Sequence, residues 1–330
     1  MVSWMRRSRI VGTGSYVPEK VLTNQDLEKI VDTNDEWIVT RTGIKERRVT
    51  NNGQTSSTLA TNAAKNALEM AGVAPEELDA IIVGTVTPDM FFPSVGCLVQ
   101  DALGAKKAVA FDISAGCSGF IYSLSVADSF ISGGKYQKVL VLGTENLSKV
   151  TDYQDRGTCV LLGDGSGAVV LIGEEGERGI LSTHLHSDGS YKDLLFQPGG
   201  GSAVPPTYES IDNRLHYLKM DGNKLFKIAV KSLEDVVLET LAHNNIEESE
   251  IDLLIPHQAN LRIIQAIAKR LNLPEEKVFV NIHKYGNTSS ASIPIALDEA
   301  NRSGRIKEGD LLLLNAFGAG LTWGATAVRW

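Results

Sequence analysis

The chain has 330 residues, 43% hydrophobic and 22% charged, and its 32 Lys and Arg against 40 Asp and Glu give a formal charge of −8. This balance excludes disordered and fibrous classes, predicts a buried core of one large or two fused α/β domains, and argues against a general attraction to nucleic acid. No apolar run approaches the roughly 20 residues of a membrane span, and the opening "MVSWMRRSRIVG" lacks a leader's apolar stretch of about 7 to 15 residues, so a cytoplasmic protein is expected. Cys97, Cys117 and Cys159 are widely spaced and form no CxxC pair, which supports neither a disulfide framework nor a metal site.

In chain order, residues 59–85 read as a helix, a capping turn and a buried strand. The loop "TPDMFFPS" follows with two adjacent aromatics. "VAFDISAGCSG" is a strand that turns at Cys117 into a helical pattern, then an "SGG" turn and the strand "KVLVLGTE". "GDGSGAVVLIG" resembles a phosphate loop but lacks the Lys-Ser/Thr ending and leads into a strand, so a hairpin turn is the better reading. His184 and His186 alternate along one strand face with no third ligand apparent, and "GGGSAVPPTYES" reads as a surface flap. Residues 233–258 then repeat the helix, turn and strand of 59–85, with Glu250 and Asp252 in the places of Glu77 and Asp79. "VFVNIHKYGNT" matches "VAFDISAGCSG", and "SGR" and "DLLLLNAFG" match the next turn and strand. Four elements in one order, at an offset of roughly 170 residues, indicate an internal duplication. The expected fold is α/β, with two duplicated βαβ-rich halves, residues 1–179 and 180–330, and sheets packed between helices.

Superposing the repeats puts Cys117 and Asn287 at equivalent strand-to-helix turns, and His257 follows the end of the strand "IDLLIP". Sites in open α/β sheets gather at the carboxyl ends of strands. A thiol at a helix start feels unpaired N–H groups and the positive end of the dipole, which favour thiolate and hence a nucleophile. Taken singly, each residue has a plainer explanation: a packed cysteine, a core histidine, a capping asparagine. Taken together they form a candidate catalytic set. A cysteine peptidase also orders Cys, His and Asn along its chain, but its signature around the nucleophile is absent and nothing in it calls for a duplication.

The motifs "DTNDEWIVTRTGI", "SAGCSGF", "DRGT…GDGSGA", "PHQAN", "YGNTSSASIP" and "FGAGLTWG" run from end to end of the chain. By them it resembles β-ketoacyl-acyl-carrier-protein synthase III, the thiolase-fold condensing enzyme that begins type II fatty-acid synthesis. Synthases of polyketide or quinolone precursors are the nearest alternative. The resemblance implies that Cys117 takes an acyl group from an acyl-CoA primer, with acetyl-CoA expected. It implies further that malonyl-acyl carrier protein loses carbon dioxide with His257 and Asn287 holding the enolate oxygen, and that no cofactor beyond the CoA thioester substrate takes part. The acyl oxyanion is assigned to the N–H groups of Cys117 and Ala319. Here the chain has Gly318-Ala319-Gly320 where the family usually has three glycines, and a positive φ would strain the alanine.

The same resemblance assigns Trp37 and Arg156 to the adenine of CoA, Arg41 to nucleotide and phosphate contact, and Asn260 to the pantetheine arm. It assigns Phe92 to a partner subunit's acyl pocket, which implies a homodimer. Lys227, Arg262, Lys269 and Arg270 are candidates for docking the acidic carrier protein, since a local basic patch can steer a partner despite the overall negative charge.

Overall fold

In the computed structural model, which describes residues 6–51 and 53–330, the chain builds two mixed sheets and three layers of helices. The first five residues of the N-terminal segment discussed above lie outside the described residues. The first sheet runs in the order Arg6–Tyr16, Asp164–Glu175, Lys138–Asn146, Ala80–Gly84, Val109–Ile113. Its first three strands are antiparallel, and the last three are parallel. The second sheet repeats this as Gly179–Ser187, Thr322–Arg329, Leu311–Gly318, Leu253–Pro256, with the same directions. A parallel bridge from Leu254 to Val278 stands where the first sheet has its fifth strand.

The duplicated acidic pair serves the same purpose in each half. Glu77 accepts the N–H of Ala74 and Glu250 that of Glu247, each closing a single helical turn. Asp79 accepts the N–H of Lys138 at 2.9 Å and Asp252 that of Leu311 at 2.8 Å, tying each helix–turn–strand unit to the strand beside it.

The central layer consists of the helices Gly119–Ser132 and Ser292–Arg302, whose Phe120, Leu124, Ile293 and Leu297 are fully buried between the two sheets. Ser56–Ala71 and Val95–Leu103 cover the outer face of the first sheet, and Gly222–Asn244 and Leu261–Arg270 that of the second. Being covered on both faces explains why the strands read as unbroken apolar runs. "GDGSGAVVLIG" corrects the hairpin reading: from its second residue on it is the first part of the long strand Asp164–Glu175. At Gly167 a Cβ would come within 2.6 Å of the Ile295 nitrogen, so glycine here admits the central helix. "GGGSAVPPTYES" does lie at the surface, irregular until the short helix Tyr208–Asp212.

Candidate active site

Cys117 sits in a single turn, Gly116–Ser118, between the strand Val109–Ile113 and the helix Gly119–Ser132. Gly116 has φ +55°, and a Cβ there would lie 2.5 Å from the nitrogen of Ala319. Gly318 is pressed in turn against the nitrogen of Cys117. Only glycine permits this backbone-to-backbone approach. It sets the backbone nitrogens of Cys117 and Ala319 close together at the turn that carries the Cys117 sulfur. The non-glycine residues with positive φ among those described are Arg214, Asn245, Asn272 and Ser289, so Ala319 is unstrained in φ.

The helix-start argument for a ready thiolate needs correction. Burial pushes the Cys117 thiol up to about 11, against the opposing pull of a Ser289 hydrogen bond and the two N–H groups. A helix start stabilises charge by roughly a kcal/mol, which desolvation outweighs.

His257 follows the strand Leu253–Pro256, its N–H bonded to the Asn315 carbonyl at 2.8 Å. It is buried, and desolvation holds its pKa down at about 3, so the ring is neutral. Its Nδ1 lies 2.6 Å from Oγ of Ser292, which also accepts the N–H of Gln258. When the Ser292 hydroxyl gives its proton to Nδ1, the ring's own N–H is on Nε2, the tautomer that can donate to a substrate oxygen. Asn287 spends its Oδ1 on the N–H of Ser289 at 2.8 Å, leaving the amide nitrogen as donor. Cys117, His257, Asn287 and Ala319 line one pocket whose outer walls are apolar, including Leu161, Leu225, Phe226 and Ile263.

At the nucleotide candidates, the guanidinium of Arg156 lies 4.7 Å from the Trp37 ring centre and that of Arg41 4.9 Å. Arg156 is steered by the carbonyl of Asp32 at 2.9 Å. Asn260 caps the helix Leu261–Arg270 through Arg262 N and bonds the carbonyl of Arg41 at 3.1 Å, joining this cluster to the pocket that it helps to line.

Two family models match the chain: 3-oxoacyl-[acyl-carrier-protein] synthase III over residues 111–189, and the C-terminal region of the same enzyme over 241–330. The β-ketoacyl-[acyl-carrier-protein] synthase III of Caldanaerobacter subterraneus is 56% identical over 97% of each chain. The chain belongs to the 3-oxoacyl-[acyl-carrier-protein] synthase III family. The crystal structure of the Aquifex aeolicus synthase III has a TM-score of 0.92 at 54% identity and covers 98% of this chain and 100% of that one. A priming β-ketosynthase from a polyketide biosynthetic pathway also has a TM-score of 0.92, at 34% identity, covering 100% and 98%. The fold is thiolase-like, and the chain is an acyltransferase that condenses an acyl-CoA with malonyl-acyl carrier protein to a 3-oxoacyl-acyl carrier protein. Family and geometry together remove the peptidase reading, because His257 is oriented by Ser292.

For this member of the synthase III family, other sequence candidates lie apart from the pocket. Phe92 is 85% exposed and Phe91 77%, and neither lines the pocket of its own chain. Lys227 lies on Gly222–Asn244 and Arg262, Lys269 and Arg270 on Leu261–Arg270. Arg270 is paired with Glu234, and Arg262 lies over the Phe226 ring at 5.5 Å. His184 and His186 both bond Glu239, at 3.1 and 2.5 Å; among the described residues no His/Cys/Asp/Glu group is arranged to hold a metal. Sequence reasoning singled out neither Ser292 nor Ser289 and Glu145. The serine run in "NTSSAS" was the signal available for two of them, and nothing marked Glu145 inside an apolar strand.

Proposed function

We propose that Cys117 is the acyl-accepting nucleophile, that His257 and Asn287 stabilise the enolate, and that the N–H groups of Cys117 and Ala319 receive the acyl oxyanion. The carrying observation is that these residues, supplied by both duplicated halves, line one pocket, with the backbones of Cys117 and Ala319 pressed together at its base. The Cys117 sulfur attacks the thioester carbonyl, the tetrahedral oxygen draws on the two N–H donors, and the thiol proton leaves with the CoA sulfur. Malonyl-acyl carrier protein then enters and its C–C bond to the carboxylate breaks. The electron pair passes to an enolate whose oxygen faces His257 Nε2–H and the Asn287 amide. A neutral imidazole suits this task because it donates without giving up a second proton. The enolate carbon attacks the acyl group, and the Cys117 sulfur departs and regains a proton.

In this reading the primer is acetyl-CoA and residues 1–179 and 180–330 are the two halves. Trp37, Arg41, Arg156 and Asn260 hold the CoA, since a flat indole flanked by guanidinium groups suits an adenine and its phosphates. Lys227, Arg262, Lys269 and Arg270 meet the acidic carrier protein. The exposed Phe91 and Phe92 support a homodimer in which Phe92 closes the partner's acyl pocket. No helix among the described residues is long and apolar enough to cross a membrane, and a cytoplasmic location is part of the proposal. The test is intact-protein mass spectrometry after exposure to a panel of acyl-CoAs. A single acyl adduct on Cys117, lost in Cys117→Ala, is expected; an adduct that persists in that variant overturns the assignment.

A further inference from the structure

Beneath the pocket lies a carboxyl group that the chemistry above does not use. Glu145, on the strand Lys138–Asn146, is fully buried. Its Oε2 accepts from Thr87 Oγ1 at 2.6 Å, Val86 N at 3.2 Å and Thr85 Oγ1 at 3.4 Å. Its Oε1 faces the hydroxyls of Ser290 at 2.9 Å and Ser289 at 3.0 Å. Among the described residues no Lys, Arg or His pairs with it. The neighbouring strand brings Asp164, whose carboxylate is taken up by the N–H groups of Thr50 and Ser148. A buried carboxylate with no countercharge is costly, and the usual outcome is that it keeps its proton.

Counting protons places that proton. Thr87 Oγ1 accepts the N–H of Asn146 and so has its own hydrogen to give to Oε2. Ser290 has a second acceptor in the Gly84 carbonyl at 2.7 Å, nearer than Glu145. With its hydrogen on Gly84, Ser290 presents Glu145 with a lone pair, and Oε1 must supply the hydrogen. An ionised Oε1 would instead draw in the Ser289 hydrogen. Ser289 lines the same pocket as Cys117, with φ held at +50° and its N–H fixed on Asn287.

We propose that Glu145 is held as a neutral carboxylic acid, which frees the Ser289 hydroxyl to donate to the Cys117 sulfur and makes Glu145 a positioning residue for the nucleophile. Burial favours this protonated form, and an ionised Glu145 would raise the Cys117 thiol further by repulsion. Of the titratable side chains near the sulfur, Glu145 is the one whose charge bears on it, and His257 in the same pocket is neutral. The proposal rests on Cys117 being the acylated residue.

The test follows the pH dependence of Cys117 alkylation by iodoacetamide in the full chain, beside acyl transfer from acyl-CoA. Glu145→Ala should slow acyl transfer about tenfold or more by leaving several hydroxyls unpaired, and Glu145→Gln should recover most of that loss without lowering the apparent thiol pKa. Ser289→Gly, which suits the positive φ, should raise the apparent thiol pKa; Ser289→Ala provides the same test if the glycine variant melts early. Infrared difference spectra between wild type and Glu145→Gln should show a protonated carboxyl band at neutral pH. A drop of about one unit or more in the thiol pKa of Glu145→Gln would mean that Glu145 is charged, and an unchanged profile in the Ser289 variants would remove the donor; either overturns the proposal. An acyl group found on another residue counts against the nucleophile assignment, while the alkylation profile still judges Glu145.

Discussion

Ser292 Oγ stands 2.6 Å from His257 Nδ1 at the start of a central helix, and a hydroxyl proton given to Nδ1 puts the ring's own hydrogen on Nε2. If the hydrogen were on Nδ1, Nε2 would present a lone pair to an enolate oxygen.

Ser292→Ala should therefore slow decarboxylation of malonyl-acyl carrier protein about 10- to 100-fold, from loss of one buried hydrogen bond and of the ring's orientation. His257→Ala and Asn287→Ala should each cost about 100- to 1000-fold in the same step, since each removes an oxyanion donor. All three should still take up an acyl group at Cys117. Single-turnover acylation measured beside carbon dioxide release checks this; lost acylation with decarboxylation intact would reverse the assigned roles.

Trp37→Ala and Arg156→Ala should raise KM for acyl-CoA about 3- to 30-fold, the range of a cation–π or stacking contact, with KM for malonyl-acyl carrier protein unchanged. Steady-state kinetics with each substrate varied in turn separates the two. A rise in both KM values would mean that the cluster shapes the pocket as a whole.

His257 makes stability depend on pH. Unfolded, it binds a proton below its ordinary value of 6.5, while in the folded protein it stays neutral down to about 3. Between these values the unfolded chain holds the extra proton, so this stability is present above 6.5 and is lost as pH falls toward 3. The melting temperature of His257→Gln should consequently fall less steeply than that of wild type between pH 6.5 and 4. Parallel curves would show that burial of this ring does not govern the acid limb.

Phe92→Ala should widen the primer range toward longer or branched acyl groups and weaken self-association, because the ring is 85% exposed in one chain and has no pocket of its own to fill. Burying such apolar surface is worth about 25 cal/mol per Å². Sedimentation of both proteins and competition between acyl-CoAs are the checks. A wild-type monomer, or an unchanged primer range, rules out this placement.

Much of this was legible because it is local. The repeated helix–turn–strand pattern exposed the duplication, because each half must satisfy the same buried strands with the same caps. The matching of Cys117 to Asn287 was three residues out of register: the single turns Gly116–Ser118 and Ser289–Ala291 precede the two central helices, so Ser290 stands in the place of Cys117, and Asn287 follows the short helix Ile282–Tyr285 that interrupts the second repeat. His257 could be placed by its position just after an apolar run. The Cys117 thiol went the other way, since a helix start is visible in the sequence but the depth of the pocket around it is not. Ser292 and Glu145 act on partners 35 and 144 positions away, His257 and Ser289, and such pairings are set only when the sheets and central helices pack. "GDGSGAVVLIG" misled because its glycines serve a helix that arrives from the other half.

The turn at Gly116–Ser118 is completed by the backbone of Gly318 and Ala319, which belongs to the opposite half. A chain being synthesised therefore carries its thiol long before it has the two N–H groups that would serve it. Contacts so distant in sequence form late in folding, after most of the loop entropy has been overcome. Acyl transfer should accordingly be silent in any partly made or half-folded chain, and the appearance of activity during refolding would time the docking of the two halves.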